Sequence, residues 1–361
     1  MNTRSMPVQA SLWRTTRLWS VLLHKAAFMN GAHMKMHTRL LKSTIAIAIA
    51  TIGLAGAVIA QTAYPTKTVR FVITFPPGGG SDFTVRPIAQ KLSETWGQPV
   101  IVDSRPGGSA MIGTDYVVKS PPDGYTVLLS GSSEVSMNVA LFKKMPYDPV
   151  HDLQPVTLVC TAPLVLVAHP SLPVKSVKEL VALARAKPGA LSYATIGAGS
   201  PHHFAGELMK STFRIDMTHV PYKGGAPAVM DNIGGHVPVG FSTASLSIPH
   251  VKARRLRALA LTSAKRSDAV PDIPTIAESG APGFDIAQWF AIWLPAKTPK
   301  DVAGKLYGEV IRIVQTPEYK QRQFEVAADV VGSTPEALAN HQKTEIEKYR
   351  KIAAAAGIAP E

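Results

Sequence analysis

Residues 71–86 read FVITFPPGGGSDFTVR, a run in which strand, loop and helix signals follow one another directly. Val69, Phe71, Ile73 and Phe75 recur at every second position, which predicts a strand packed on one face. Two prolines then end the strand, because proline cannot donate a ladder hydrogen bond. Three glycines permit backbone angles that other residues avoid, and apolar residues at helical spacing follow. The run therefore predicts a strand, a glycine loop and the start of a helix.

The glycine loop is suited to an anion. Its free N–H groups converge at a helix N-terminus, where the helix dipole adds partial positive charge. A P-loop would need Gly-Lys-Ser/Thr where this chain has Gly80, Ser81 and Asp82, and a dinucleotide fingerprint would need glycine in place of Phe83. Residues 78–82 therefore predict either an anion cradle or a tight strand-to-helix turn without a ligand.

Asp82 has two possible roles at this loop. Ser81 or Asp82 is a good N-cap residue for the helix. Direct contact with an anionic ligand would be repulsive, so capping is the favoured role for Asp82, with a bridging water as a further possibility. Arg86 lies one turn further on and either pairs with Asp82 or reaches the ligand.

Composition places the chain among ordinary globular proteins. It has 361 residues, of which 46% are hydrophobic and 17% charged, and this length suggests about two domains. Cys160 is the single cysteine, so no intrachain disulfide is expected.

Residues 1–60 have the pattern of a secretory signal peptide. They contain seven Lys or Arg and no Asp or Glu, and end in the apolar run IAIAIATIGLAGAVIA. Cleavage is expected after Ala60, with Ala63 as the alternative. The run is short for a membrane-spanning helix, which needs about 20 residues, so a retained anchor is the less favoured interpretation. The part before Met34 is superfluous, which indicates an over-extended N-terminus.

Without residues 1–60 the formal net charge falls from +13 to +6. The basicity of the chain is therefore largely that of the export signal, and no nucleic-acid partner is expected.

Strand and helix signals alternate after the first helix. The pattern predicts strands at 99–102 and 125–129 and a helix at 111–119 between them. This alternation is typical of a parallel sheet with helices on both faces. Ligands of such sheets bind beyond the carboxyl ends of the strands. The 78–82 loop and the loop at 130–133, which contains the hydroxyls of Ser132 and Ser133, are therefore expected at the same edge.

A second α/β unit repeats this architecture. A strand at 191–195 is followed by a second glycine loop and by Ser200 at a helix start. Two such units predict a cleft that grips a ligand from both sides and closes about a hinge. Further strands are predicted at 164–168, 218–222, 237–241, 256–262 and 289–294, and further helices at 177–187, 300–315 and 335–355.

Trp289 and Trp293 are assigned to the core. The last helix carries charged residues that are assigned to a solvated face, namely Glu345, Glu347, Lys348 and Arg350.

The sequence argues against catalysis and against a metal. A hydrolase of the common α/β type needs Gly-x-Ser-x-Gly, which the chain lacks. A zinc site needs about four ligands at supporting spacing, and His202 and His203 have no such companions. His203 is instead expected to pack at a helix start or to make one hydrogen bond. No enzyme activity, metal or cofactor is predicted.

Short motifs in a specific order resemble those of the Bug family, the extracytoplasmic receptors of tripartite tricarboxylate transporters. Each motif alone is weak, but their joint order covers about 300 residues. In this chain they are Tyr64-Pro65, FPPGGGSD at 75–82, RPG at 105–107, PDGYT at 122–126, LPVKS at 172–176, Gly199-Ser200, HVPYKG at 219–224, TSAKR at 262–266 and PDIPT at 271–275.

The resemblance implies an α/β fold of two lobes, the type II periplasmic binding protein or Venus-flytrap class, in which each lobe is a mostly parallel sheet flanked by helices. One lobe would comprise residues 61–163 and 285–361, and the other residues 164–284. It also implies that one carboxylate of the ligand is held by the first glycine loop and a second group by the loop of the other lobe.

The candidate ligand-binding residues combine these loops with nearby strand ends. They are Phe75, Gly78, Gly79, Gly80, Ser81, Asp82, Ser132, Ser133, Thr195, Gly199, Ser200, His203, Tyr222, Lys223 and Ser242.

Two departures from the family pattern stand out. Gly108-Ser109-Ala110 replaces the usual Ala-Gly-Gly, and Ser242 follows Phe241 where the family often has an acidic residue. The second departure removes a partner for a ligand ammonium group, which favours a plain carboxylate over an amino acid.

The predicted function is that of a periplasmic receptor. It would act as a monomer that binds a small carboxylic or dicarboxylic acid and delivers it to the membrane subunits of a tripartite tricarboxylate transporter. The alternative is a sensing subunit that presents the bound acid to a sensor kinase, which would use the same fold and site.

Overall fold

A computed structural model describes residues 64–355 together with 357, 358 and 360. The predicted signal peptide lies outside these residues. The described chain forms ten strands. They are β1 (Val69–Ile73), β2 (Val100–Ser104), β3 (Thr126–Ser130), β4 (Leu153–Ala168), β5 (Ser192–Thr195), β6 (Thr218–Pro221), β7 (Val239–Thr243), β8 (Arg257–Leu261), β9 (Ala287–Pro295) and β10 (Asp329–Val330).

The helices lie between these strands and after them. They are α1 (Gly80–Trp96), α2 (Met111–Val118), α3 (Asn138–Leu141), α4 (Val177–Ala186), α5 (Pro201–Phe213), α6 (Gly225–Gly234), α7 (Ala244–Lys252), α8 (Lys300–Val314), α9 (Pro317–Phe324) and α10 (Pro335–Ala355). A π-helical turn, Ser133–Met137, precedes α3.

The strands form one curled mixed sheet in the order β2-β1-β3-β9-β4-β7-β5-β6, with β8 and β10 paired to β4. In the first half, β1 is parallel to both β2 and β3. In the second half, β5 is parallel to both β6 and β7. The predicted parallel units are therefore confirmed, and the loops after β1 and β3 lie at the same edge.

Strands β4 and β9 join the two halves. The first part of β4, 153–163, pairs antiparallel with β9, whereas its last part, 164–168, pairs antiparallel with β7 and β8. The sequence predicted only the last part as a strand. The missed part of β4 is buried over most of its length, so it lacks the alternation that marks a half-exposed strand.

Thr262 fastens the point where β4 passes from one half to the other. Its buried hydroxyl accepts a hydrogen bond from the Leu164 N–H (3.0 Å) and donates one to the Ile286 carbonyl (2.5 Å). The Thr262 N–H also donates to the Leu164 carbonyl (3.0 Å). One side chain thus connects β4, the segment after β8 and the segment before β9.

Each half has its own apolar core. Phe71, Ile88 and Phe290 belong to the core of the first half, and Leu166, Phe204 and Phe241 to that of the second.

The predicted burial of the two tryptophans on β9 is confirmed, since Trp289 and Trp293 are each 1% exposed. Helix α10 packs along both halves, with Leu338 in the Trp289 cluster and Tyr349 in the Phe204 cluster. The assignment of Glu345 to a solvated face is wrong. Its carboxylate is buried and accepts the Trp289 indole N–H (3.0 Å), because α10 lies against β9 rather than outside it.

Candidate functional site: a cleft between two sheet edges

A cleft of about 680 Å³ lies between the carboxyl ends of the two parallel strand sets. Its first wall follows β1, β2 and β3, and its second wall follows β5 and β6. The first wall comprises Thr74, Phe75, Pro76, Pro106, Gly107, Gly108, Ser109, Ala110 and Ser133; the second comprises Ile196, Gly197, Ala198, Gly199, Ser200, Pro221, Tyr222, Lys223 and Gly224. Strand ends of this kind are where ligands of parallel sheets bind.

The two walls approach each other closely at two glycines. A methyl group added at Gly224 would lie 3.3 Å from Pro76, and one added at Gly199 would lie 3.7 Å from the Ser109 Oγ atom. Both glycines have positive φ, which other residues rarely adopt. The walls are therefore close together in this structure, with little room for side chains at these two points.

The candidate residues from the sequence fall into two groups. Those that line the cleft are Phe75, Ser133, Gly199, Ser200, Tyr222 and Lys223. Those that lie outside its lining are Gly78, Gly79, Gly80, Ser81, Asp82, Ser132, Thr195, His203 and Ser242.

The first glycine loop adjoins the cleft through residues 74–76. Helix α1 begins at Gly80 with Gly79 at the N-cap and no side-chain cap, so the prediction that Ser81 or Asp82 caps this helix is wrong. Asp82 lies in the first turn instead, and its Oδ2 atom accepts the Gly78 N–H (3.1 Å). Its Oδ1 atom pairs with Arg86 (2.8 Å), as the spacing predicted.

Gly80 is needed for packing. A methyl group added there would lie 2.7 Å from the Phe290 ring and 3.1 Å from Thr243. Gly79 has no such constraint, because its φ is −91° and an added methyl would meet only the Pro76 carbonyl oxygen at 3.8 Å. The N–H groups at the start of α1 have no partner within the helix, and they lie beside the lining of the cleft rather than in it.

The second glycine loop is held by a network of its own. The buried Thr195 hydroxyl lies 2.7 Å from His219 Nε2 and accepts the Gly197 N–H (3.1 Å). Ser200 donates to the Gly197 carbonyl (2.6 Å) and accepts the His203 N–H (3.3 Å), which caps α5. These hydroxyls therefore shape the loop that forms the second wall.

Two stacked histidines lie beneath this loop. The rings of His203 and His219 are 4.2 Å apart and nearly parallel, and His203 Nδ1 accepts the Gly199 N–H (3.4 Å), which agrees with the predicted single hydrogen bond. Burial lowers the pKa of His203 and that of His219 to about 4. Both rings are therefore neutral at pH 7, as an acceptor role for Nδ1 requires.

Tyr222 and Lys223 line the second wall in different ways. The Tyr222 hydroxyl donates to the Asp231 carboxylate, so it is already engaged within the protein. Lys223 is exposed and is the only charged residue among those described that line the cleft.

Ser132 and Ser242 are buried behind the lining. The Ser132 hydroxyl has no hydrogen-bond partner among the described residues. The Ser242 hydroxyl, on β7, bonds to the neighbouring Thr243 carbonyl (3.4 Å).

Glu134 was missed by the sequence reasoning and lies directly behind the first wall. Its Oε1 atom accepts the Thr74 hydroxyl (2.6 Å) and the Gly131 N–H (2.9 Å), while its Oε2 atom has no partner. Complete burial raises the pKa of Glu134. Burial of this kind disfavours the charged form of a carboxyl, and each proton that Glu134 retains reduces the negative charge behind a cleft that would hold an anion.

The loop after β2 was also missed as part of the site. Ser109 and Ala110 have φ of 51° and 71°, a left-handed conformation that is costly for residues other than glycine. The signal was present in the sequence, since these positions depart from the family's glycines. Strained residues of this kind are concentrated at binding sites.

No group of three or more His, Cys, Asp or Glu that could hold a metal ion occurs within the part of the chain that the structure describes. Over the same residues, no helix combines the length and apolar character needed to cross a membrane.

Comparison with known proteins agrees with this architecture. The model of the tripartite tricarboxylate transporter family receptor matches residues 84–358. Protein BugT of Bordetella pertussis is 36% identical over 316 residues, which cover 87% of this chain and 96% of that protein.

Two solved structures are also similar. R. palustris Rpa4515 with adipate has a TM-score of 0.80 at 36% identity and covers 82% of this chain and all of that one. MatC from Rhodopseudomonas palustris with bound malate has a TM-score of 0.76 at 28% identity and covers 80% of this chain and 99% of that one.

The fold and the cleft define a two-lobe binding protein of the periplasmic, Venus-flytrap class. The chain belongs to the tripartite tricarboxylate transporter receptor family, that of the Bug proteins. Members of this family are periplasmic receptors and not enzymes, which confirms the prediction that the chain is a solute receptor without catalytic activity.

Proposed function

We propose that the protein captures a small carboxylic or dicarboxylic acid in the cleft and delivers it to the membrane subunits of a tripartite tricarboxylate transporter. The observation that carries this proposal is the cleft itself, whose two walls are the carboxyl ends of two parallel strand sets. The adipate and malate in the two related structures support a carboxylate ligand.

Backbone donors supply most of the binding in this proposal. The first turn of α1 offers N–H groups at the positive end of a helix dipole, an arrangement that favours anions. Residues 197–200 form the opposite wall, and Lys223 adds one positive charge. A ligand carboxylate bound to the first loop and a second polar group bound to the loop 197–200 would bridge the two halves.

We further propose that the two halves are lobes that close about the crossing strands. The boundaries between the lobes would lie between residues 163 and 164 and between residues 284 and 285. Both are next to residues that the Thr262 hydroxyl hydrogen-bonds, namely Leu164 and Ile286. A ligand that touches both walls stabilises the closed arrangement, because it binds that arrangement better than an open one.

Gly79→Val tests the first loop. Valine fits the backbone at this position and has open space around it, so the fold should survive while the side chain blocks the donors at the start of α1. Calorimetry with the best acid from a panel of small carboxylates should show loss of binding. Gly304→Val, also in open space and far from the cleft lining, is the matched control and should bind normally. If Gly79→Val binds the acid with the same affinity as the parent protein, the first loop is only a turn and does not bind the ligand.

Delivery and export require separate measurements. Uptake of the bound acid by cells should disappear when the receptor is deleted and return with the parent but not with Gly79→Val. We also propose a periplasmic location, for which N-terminal sequencing of the monomeric protein from the periplasmic fraction should read from Gln61. An intact N-terminus at Met1 or Met34 would contradict this processing.

A further inference from the structure

The chemistry of the cleft lining restricts which carboxylate the site takes, if the proposed function holds. At about 680 Å³ the cleft is within the range of roughly 300–1,000 Å³ that holds drug-sized ligands. Size alone therefore admits many acids, and the side chains of the two walls decide among them.

No carboxylate lines the cleft among the described residues. Acidic groups bonded to residues in or beside the lining are already engaged or buried. Asp82 pairs with Arg86 and accepts the Gly78 N–H, and Asp231 accepts the Tyr222 hydroxyl. Glu134 is completely buried and accepts the Thr74 hydroxyl and the Gly131 N–H through its Oε1 atom. An ammonium group on the ligand would therefore lose water without gaining a counter-ion, which is costly for a charge.

Few side chains are free to bond a hydroxyl on the ligand. The Thr74 hydroxyl is donated to Glu134, that of Ser200 to the Gly197 carbonyl, and that of Tyr222 to Asp231. Only Ser109 and Ser133, among the lining hydroxyls, have no side-chain hydrogen bond within the described residues. Substituents along the body of a ligand would find few partners.

The remaining wall surface is apolar. Phe75, Pro76 and Pro106 form much of the first wall, and Ile196 and Pro221 form much of the second. Proline lacks an N–H donor, so three of these residues cannot donate to a ligand even from the backbone. Burial of hydrocarbon against such surface is favourable in proportion to its area.

We propose that the site selects carboxylates with an unsubstituted hydrocarbon body and rejects their hydroxylated and aminated counterparts. The carboxylates would be bound by backbone N–H groups and Lys223, and the hydrocarbon would lie between the apolar walls. The substituents on the hydrocarbon part of the acid, rather than its carboxylate charges, would then determine which acids bind.

Calorimetry with two matched ligand pairs tests this inference. Succinate and malate differ by one hydroxyl, and adipate and 2-aminoadipate differ by one ammonium group, so size nearly cancels within each pair. The unsubstituted member should bind at least about tenfold more tightly in each pair, since a buried polar group without a partner costs on that order.

A variant of the wall provides an independent check. Ile196→Thr places a hydroxyl in the second wall and should narrow the succinate-to-malate ratio. Val331→Thr, at a position that is 40% exposed and outside the lining, should leave the ratio unchanged. Circular dichroism verifies that both variants fold.

The outcomes separate this inference from the proposed function. Equal or tighter binding of malate and 2-aminoadipate would overturn the inference and leave carboxylate capture standing. Absence of binding by all four acids and by the rest of the carboxylate panel would overturn both.

Discussion

At the scale of single residues, Glu134 is the group whose chemistry depends most on its surroundings. Both donors that it binds, Thr74 and the Gly131 N–H, meet one oxygen, and burial raises its pKa. A neutral carboxyl and a glutamine side chain offer the same acceptor and similar shape, so they should be interchangeable here.

Glu134→Gln should therefore keep the fold, whereas Glu134→Ala should lose about 1–3 kcal/mol because it leaves buried donors unpaired. A raised pKa means that the folded protein holds the proton more tightly than the unfolded chain, so the parent loses stability as pH rises above the carboxyl's usual 4.5. The stability of Glu134→Gln relative to the parent should thus grow from pH 4.5 upward. Urea unfolding at several pH values measures this, and equal losses in both variants would contradict it.

Ser109 combines backbone strain with an unbonded hydroxyl at the cleft. Ser109→Gly should remove the cost of the left-handed conformation, which is about 1–2 kcal/mol for a residue with a Cβ. Glycine also gives the unfolded chain more conformational freedom, which lowers stability and offsets this gain. Stability should therefore change little while affinity for the best acid falls. Ala110→Gly, with a φ of 71° and no hydroxyl, is the matched control. If Ser109→Gly binds the acid as tightly as the parent protein, the Ser109 hydroxyl does not contribute to binding.

At the scale of elements, the crossing of β4, β8 and β9 is held by side-chain as well as ladder hydrogen bonds. Thr262→Val keeps the shape of the side chain but removes the hydroxyl's bonds to the Leu164 N–H and the Ile286 carbonyl. The expected loss is about 1–3 kcal/mol of unfolding free energy, read from urea midpoints. Thr344→Val, at an exposed helical site, should stay within about 0.5 kcal/mol of the parent. A similar small effect at Thr262 would mean that the ladders alone hold the crossing.

At the scale of the whole molecule, buried neutral histidines make the protein sensitive to acid. Burial lowers the pKa of His202 to about 3 and that of His219 to about 4. The unfolded chain takes up protons near the usual value of 6.5, which the folded protein resists, so stability should fall as pH drops below 6.5. Thermal unfolding without ligand between pH 7.5 and 4.5 checks the direction. His202→Asn should flatten the dependence, and a midpoint that stays constant over this range would contradict it.

Much of the architecture could be predicted from local patterns. The strand at 69–73, the glycine loop and the helix from Gly80 follow from alternation, turn residues and helical spacing within one short run. The second unit repeats these signals, so two α/β halves with loops at their strand ends were predictable. The order of motifs then identified the family.

The composition of the site was less predictable. Thr74 and Glu134 are 60 positions apart, and the loop 106–110 lines the same cleft as Gly199 although the two segments are distant in sequence. The 78–82 loop drew attention for its glycines, yet Gly80 serves packing against Phe290. Local sequence determines which backbone units form, because their signals act within a few residues. Which loops share a wall, and which carboxyl is buried behind it with a raised pKa, is decided by contacts between distant segments that exist only in the folded chain.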